Sequence, residues 1–103
     1  MKTFRTLELA IQYYQTIENI KLPAHLRNQI LRAASSVSLN LSEGNAKRSY
    51  ADKKRIYQIA LGSFRESQTI LKLAKYENAE LAAFADHLGA CLYKLTTFKN
   101  PGN

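Results

Sequence analysis

The stretch YADKKRIYQIALGSFRESQTILKLAKY, residues 50–76, decides the fold because it contains no proline and a single glycine, Gly62. A lone glycine costs about 1 kcal/mol relative to alanine and does not stop a helix of this length. Apolar residues recur in the stretch every three or four positions, which is the period of an α-helix. The stretch therefore predicts one continuous helix about 40 Å long, and Ser49 followed by Asp52 predicts its N-cap.

The same period predicts three further helices on either side of this stretch. Pro23 interrupts the chain before the second helix, and Gly44 stands where a left-handed C-cap glycine would end it. Asn78 predicts the cap of the fourth helix. We expect an all-α, antiparallel up-down-up-down four-helix bundle in one domain, residues 1–103, with helices at about residues 3–20, 24–43, 50–76 and 79–98. The predicted core faces are Phe4, Leu7, Ala10, Ile11, Tyr14 and Ile17 on the first helix, Leu26, Ile30, Ala33, Ala34, Val37 and Leu41 on the second, and Leu81, Phe84, Ala85, Leu88, Cys91, Leu92 and Leu95 on the fourth.

Composition restricts the class of protein. The 103 residues include 15 Lys and Arg against 8 Asp and Glu, a formal charge of +7, and such an excess attracts nucleic acid or another anionic surface. No stretch approaches the roughly 20 apolar residues of a membrane span, and the N-terminus does not resemble a signal peptide. The single cysteine, Cys91, cannot form an internal disulfide and is expected in the core. We expect a soluble, cytoplasmic protein with no membrane contact.

The third helix has an apolar arc of roughly 160°, wider than the roughly 100° that covers one side of a bundle. Two interpretations remain open. The bundle wraps its longest helix from two sides, or the surplus arc forms a subunit interface in a ring-like homo-oligomer. The residues on this arc are Tyr57, Ile56, Ile59, Ala60, Ser63, Phe64, Ser67, Ile70, Leu71 and Ala74.

Basic residues gather before and along the opposite arc of the third helix. Interleaved cations and aromatic rings can contact both phosphates and bases, whereas the alternative is an ordinary solvated helix face. The candidate nucleic-acid-binding residues are Lys47, Arg48, Tyr50, Lys53, Lys54, Arg55, Arg65 and Lys72.

Polar residues also lie on the second helix. Asn40 falls near the centre of the apolar arc, so a buried contact to the third helix is expected to satisfy its amide. The small residues Ser35, Ser36, Ser38 and Ser42 allow a neighbouring helix to approach closely.

Two segments together carry a specific resemblance. Residues 37–44 read VSLNLSEG and residues 59–69 read IALGSFRESQT. The combination of Asn-x-x-Glu-Gly with Ala-x-Gly-Ser-x-x-Glu resembles the bacterial four-helix-bundle family encoded in intervening sequences of 23S ribosomal RNA genes. The similarity runs from about Phe4 to Leu95, and Ser38 stands where many members have proline.

The resemblance implies an antiparallel bundle that assembles as a ring-like homopentamer. It also implies a relation to accessory proteins of diversity-generating retroelements, which bind nucleic acid and a reverse transcriptase. The family name records where the gene lies, so it does not imply a place in the ribosome. By resemblance the motif positions are Asn40, Glu43, Gly44, Gly62, Ser63 and Glu66, and we interpret them as structural.

Patterns typical of enzymes are missing. We expect His25 and His87 to be isolated, and we predict no metal site and no cofactor. No nucleophile turn, phosphate loop or dinucleotide fingerprint occurs, and Asn40 with Glu43 is a poor candidate for a hydrolytic pair. The sequence therefore predicts a non-catalytic bundle that binds RNA or DNA with little sequence specificity. The alternative is an interaction scaffold, an accessory subunit that docks an acidic partner such as a reverse transcriptase.

Overall fold

The computed structural model describes residues 2–97, with side chains from Arg5 onward. Four helices and no β-strand form this part of the chain: α1 (Lys2–Glu18), α2 (Ala24–Ala46), α3 (Tyr50–Leu73) and α4 (Ala79–Thr97). The prediction of an all-α, four-helix protein is confirmed. None of these helices combines the length and the apolar character needed to cross a bilayer. The side chain of Phe4 and the predicted helix end near residue 98 lie outside the described residues.

One hydrophobic core joins the four helices. Each helix packs against its neighbours in the chain, α1 also packs against α4, and the α2–α3 contact is the most extensive. The predicted face of α1 is wrong in part, because Tyr13 is fully buried whereas Ile11 is 42% exposed. The stripe that faces the core runs through Ala10, Tyr13 and Ile17, and Ile11 lies beside it.

Most of the wide arc on α3 is covered within one chain. Tyr57, Phe64 and Leu71 are buried, as are the smaller Ala60 and Ser67. A tilted contact between the Tyr13 and Phe64 rings, with centroids 5.4 Å apart and planes at 55°, adds α1 to the cover that α2 and α4 provide. The uncovered part of the apolar arc is therefore smaller than the sequence predicts. Ile59, 45% exposed, is the large side chain of the predicted arc that this bundle leaves exposed.

Basic side chains close two of the helix junctions. The Arg27 guanidinium, near the start of α2, donates to the carbonyls of Glu18 (3.0 Å) and Ile20 (2.9 Å) at the end of α1. The Lys53 ammonium, in the first turn of α3, donates to the carbonyls of Gly44 and Asn45 at the end of α2. The last carbonyls of a helix have no partner within it, and cations there also interact favourably with the helix dipole.

The predicted role of Gly44 as a left-handed C-cap is wrong. Gly44 is buried inside α2 with a helical backbone, and α2 continues to Ala46. A Cβ atom at this position would lie 2.7 Å from Cε1 and 2.9 Å from Cδ1 of Tyr57. Glycine is required here because the buried Tyr57 ring packs directly against the α2 backbone.

The third helix ends three residues earlier than predicted. Lys75 has a left-handed backbone, with φ 55°, its N–H donates to the Lys72 carbonyl, and the Tyr76 N–H donates to the Leu71 carbonyl. This is a Schellman motif, which usually has glycine at the left-handed position. The predicted N-caps of α3 and α4 are confirmed. Ser49 Oγ accepts a hydrogen bond from the Asp52 N–H, and Asn78 Oδ1 accepts one from the Leu81 N–H.

Candidate nucleic-acid interface

The densest group of cations lies on the short turn between α2 and α3, residues 47–49, and on the first turn of α3. The Lys47 N–H donates to the Gly44 carbonyl (3.1 Å), and Ser49 Oγ caps α3 at 3.1 Å. Lys53 Nζ then ties α3 back to the end of α2, 3.0 Å from the Asn45 carbonyl. Because these bonds tie the turn to the end of α2 and to the start of α3, the turn holds its charges in a fixed geometry.

The side chains on this turn differ in exposure. Arg48 is exposed, whereas Lys47, Lys54 and Tyr50 are half-buried. Lysine can lay its aliphatic stem along apolar surface while its ammonium stays in water. Lys47 and Lys54 therefore place positive charge at the surface with little loss of side-chain freedom on binding an anion.

Two predicted contact residues have partners inside the chain. Arg55 lies 4.0 Å from the Asp52 carboxylate, with side chains that are 62% and 55% exposed. An ion pair this exposed and this long contributes little, so Arg55 can exchange Asp52 for a phosphate. Lys53 is held more firmly by its two carbonyl partners, which leave its charge at the turn.

Arg65 and Lys72 are further basic residues on α3, but they lie away from the α2–α3 turn. Both are exposed, and neither has a carboxylate partner among residues 5–97. At 1.5 Å per residue they lie about 16 and 27 Å along the helix from Lys54. The structure thus places six predicted residues together at the turn and these two farther along α3.

The motif residues of α2 and α3 meet in a polar seam beside the core. Ser36 Oγ and Ser63 Oγ are hydrogen-bonded at 2.9 Å, and the Arg32 guanidinium donates to the Glu66 carboxylate. The predicted bond from Asn40 to α3 is wrong, because its amide donates to the carbonyl (2.8 Å) and the hydroxyl (2.9 Å) of Ser36 on its own helix. Asn40 therefore reaches α3 only through the Ser36 hydroxyl.

A family model described as 23S rRNA-intervening sequence protein matches residues 4–94. The chain belongs to this family. No curated protein and no solved structure gives a significant match. The family match spans all four helices.

Two of the motif residues have no contact within the described part of the chain that explains them. A Cβ at Gly62 would meet nothing within 4 Å, so packing within the chain does not require glycine there. Glu43 is exposed and has no ion-pair or hydrogen-bond partner among residues 5–97. Its predicted structural role, through α3 or the end of α2, finds no contact in the described part of the chain.

A buried polar chain in the core was not predicted from the sequence. Ser67 Oγ donates to the Phe64 carbonyl at 2.6 Å, so the Tyr13 hydroxyl, 2.7 Å away, donates to Ser67 and accepts from the Gln68 amide. Burial raises the pKa of Tyr13, against the opposite effect of its hydrogen bonds to Ser67 and Gln68. Both hydroxyls of this group, those of Tyr13 and Ser67, are satisfied, and the bonds hold α1 against α3.

The expectation that His87 is isolated is wrong. Cys91, one turn later on α4, has its Sγ 4.0 Å from His87 Nε2. Cys91 is half-buried against the core, not fully inside it. In the part of the chain described, no three His, Cys, Asp or Glu side chains lie close enough together to hold a metal ion.

Proposed function

We propose that this chain is a non-catalytic, oligomeric four-helix bundle that binds RNA or DNA through phosphate contacts with little sequence specificity. The observation that supports it is the fixed α2–α3 turn, where Lys47, Arg48 and Lys54 offer charges without carboxylate partners. The description of the family also names a ribosomal RNA gene sequence. Cytoplasmic location remains the expectation from the sequence.

The proposal includes an up-down-up-down order of the helices. Contacts between α2 and α3 support this order. Ser36 pairs with Ser63, whereas Gly44, later on α2, lies against Tyr57, which is earlier on α3, so the two helices run in opposite directions. This order brings residues 5–12, 37–62 and 90–97 to the end that carries the turn. Among residues 5–97, that end holds seven basic and three acidic residues. The opposite end holds six basic and five acidic residues.

The charge excess of the subunit is therefore concentrated at one end of the bundle. Two basic residues from other helices, Arg5 and Lys94, join the turn there. Tyr93, 55% exposed, lies beside Lys94 in the last turns of α4 and offers an aromatic surface on which an unpaired base can stack. Nothing at this end resembles a recognition helix or an RNA-binding sheet, so phosphate contacts dominate and sequence matters little.

The homo-oligomer is part of the same proposal. We propose a closed ring of five copies, in line with the family resemblance, held in part by the α3 surface that one bundle leaves uncovered. A ring repeats the basic end and adds avidity to a contact that is weak in one subunit. Light scattering tests it, and a single species of 11.7 kDa at micromolar concentration would contradict it.

An interaction scaffold is the alternative function. The same basic end would attract an acidic protein, and a relation to retroelement accessory proteins would make a reverse transcriptase one such partner. Nuclease treatment before co-purification separates the two functions, because a protein partner is retained after the nucleic acid is degraded. Retention of a protein after treatment would favour the scaffold.

The decisive experiment compares two charge reversals of equal size at opposite ends. Lys47→Glu/Arg48→Glu changes the turn, and Lys21→Glu/Lys75→Glu changes exposed residues at the other end. Polarisation of a labelled single-stranded RNA and of a duplex DNA is measured as salt is raised from about 50 mM. The turn variant should lose affinity for both probes, and its log–log salt slope should fall by about 1.4 to 1.8, or 0.7 to 0.9 per lost phosphate contact.

The matched control should keep most of its affinity and the wild-type slope. A third variant, Arg65→Glu/Lys72→Glu, shows whether the row along α3 takes part. Equal loss in the turn and control variants would mean that net charge alone is measured. Wild-type affinity in the turn variant, or no binding by the wild type at about 50 mM salt, would contradict the nucleic-acid function.

A further inference from the structure

An apolar groove of about 260 Å³ runs along the surface between α1 and α2. Ile11 and Leu39, which are 42% and 68% exposed, line it together with Tyr14. At its wall the Ser38 hydroxyl oxygen is buried and has no hydrogen-bond partner among residues 5–97. Large apolar side chains in water and an unsatisfied buried hydroxyl indicate a surface that is incomplete in the single chain.

A second incomplete surface lies on the outward side of α3. Exposed residues recur there at helical spacing as Arg55, Ile59, Gly62, Glu66, Thr69 and Leu73, and we call them the outer α3 face. The Glu66 carboxylate in this row is paired with the Arg32 guanidinium of α2. Leu73 is 66% exposed. Gly62, in the middle, has open space where its side chain would be, so a partner backbone can come closer at this point than at any alanine.

The two surfaces carry opposite charge. On the groove side, residues 6–20 of the α1 segment and 33–46 of α2 contain no Lys or Arg, and the exposed carboxylates of Glu8 and Glu18 have no ion-pair partner among residues 5–97. Beside the outer α3 face, the exposed Arg65 and Lys72 likewise have no carboxylate partner in the described chain. Because Arg32 neutralises the Glu66 carboxylate of the outer α3 face, an acidic-rimmed groove complements a face that is bordered by unpaired cations.

We propose that the α1–α2 groove of one copy receives the outer α3 face of a second copy. The inference rests on the proposed homo-oligomer and names its contact. Because two different surfaces of each chain meet, the contact is heterologous, and it repeats around a ring until the last copy meets the first. Ser35 and Ser38 on the groove wall are small, and together with Gly62 they let the two helices approach closely.

Two exposed positions separate the two surfaces experimentally. Leu39→Arg sets a cation in the groove against the basic rim of the partner, and Leu73→Glu sets a carboxylate on the outer α3 face against the acidic groove. Ala83→Arg, on the exposed side of α4, is the control. A further variant, Gly62→Leu, adds a bulky side chain to the outer α3 face without a change of charge. Melting curves establish that each variant is folded.

Multi-angle light scattering should give an assembly for the wild type and for Ala83→Arg. Leu39→Arg, Leu73→Glu and Gly62→Leu should each be monomers of 11.7 kDa. An equimolar mixture of Leu39→Arg and Leu73→Glu should recover at least a one-to-one dimer of twice that mass, because the groove of the second variant and the outer α3 face of the first are both intact.

The outcomes distinguish this inference from the function it rests on. A monomeric wild type would overturn both the proposed oligomer and this contact. An oligomeric wild type whose mass survives Leu39→Arg or Leu73→Glu would overturn the contact alone. Monomers in the mixture would also overturn it, because they indicate that each surface pairs with its own kind. Nucleic-acid binding at the turn is measured separately and does not enter this test.

Discussion

The two sides of α3 differ in what limits the choice of residue. On the inner side, Phe64 packs on Tyr13, and Tyr57 leaves no room for a side chain at Gly44. On the outer side, Gly62 adjoins open space and Leu73 is exposed. Volume and hydrogen bonding restrict the inner side. The outer side is unrestricted in the single chain, so its glycine and its leucine call for another explanation, such as a second copy.

The largest effect is expected from truncation of the inner side. Phe64→Ala should destabilise the bundle by about 3 to 5 kcal/mol, because it removes a buried ring and leaves a cavity beside Tyr13. Leu73→Ala, on the outer side, should change the free energy of unfolding by no more than about 0.5 kcal/mol. Chemical denaturation in dilute solution measures both. Similar losses for the two variants would show that the two sides are not distinct.

Alanine at the two glycines should have opposite effects. Gly44→Ala brings a methyl group into the Tyr57 ring, and overpacking of this kind costs about 1 to 3 kcal/mol, more than the roughly 1 kcal/mol that alanine gains in a helix. Gly62→Ala keeps that gain when melting is measured on the single chain, for which the Leu39→Arg background serves, since its Cβ would meet nothing of the described chain within 4 Å. The melting temperature should therefore fall for the first and rise by about 4 to 8 °C for the second.

The Tyr13 hydroxyl, on the inner side, should make the stability of the bundle depend on pH. Burial raises its pKa in the folded chain, whereas the unfolded chain releases the proton near its ordinary value of about 10. The stabilisation from keeping the phenol neutral is complete below about pH 10 and is lost as the pH rises above it. Tyr13→Phe should cost about 1 kcal/mol at neutral pH and should lose less stability than the wild type at alkaline pH, by urea unfolding.

Asn40→Ala should have a small effect. Its amide bonds only to Ser36 within α2, and the Ser36 hydroxyl keeps its partner Ser63. The loss should stay below about 1 kcal/mol, because alanine also favours the helix. Thermal melting measures it. A loss above about 3 kcal/mol would indicate a buried contact to α3, and a fully stable variant that lost a measured hydrolytic activity would contradict the non-catalytic proposal.

Local patterns in the sequence predicted the helices well. Apolar spacing located all four, and the caps at Ser49 and Asn78 follow from the preference of short polar side chains for free N–H groups. The helix ends were harder to predict. Gly44 was misread because a glycine that admits a neighbouring ring looks the same in sequence as one that ends a helix, and Lys75 occupies a left-handed position that glycine normally marks.

The candidate site was predictable only as far as it is contiguous in sequence. The run of basic residues at the turn stands out, but the bond from Lys53 to the end of α2 depends on how two helices meet. In the proposed up-down order, Lys94 reaches the end that carries the turn only through the path of α4. The pair of His87 and Cys91 was within reach of sequence reasoning, since their spacing of four residues is a helical neighbour position.

In the proposed up-down order, the unequal charge of the two ends makes the bundle an electric dipole along its long axis. In the field of an approaching polyanion such a body rotates, so that the α2–α3 turn meets the polyanion first. Orientation before contact raises the association rate constant and leaves the lifetime of the complex to the short-range bonds. Salt at physiological strength, with a screening length of about 8 Å, confines this effect to the last moments of the encounter.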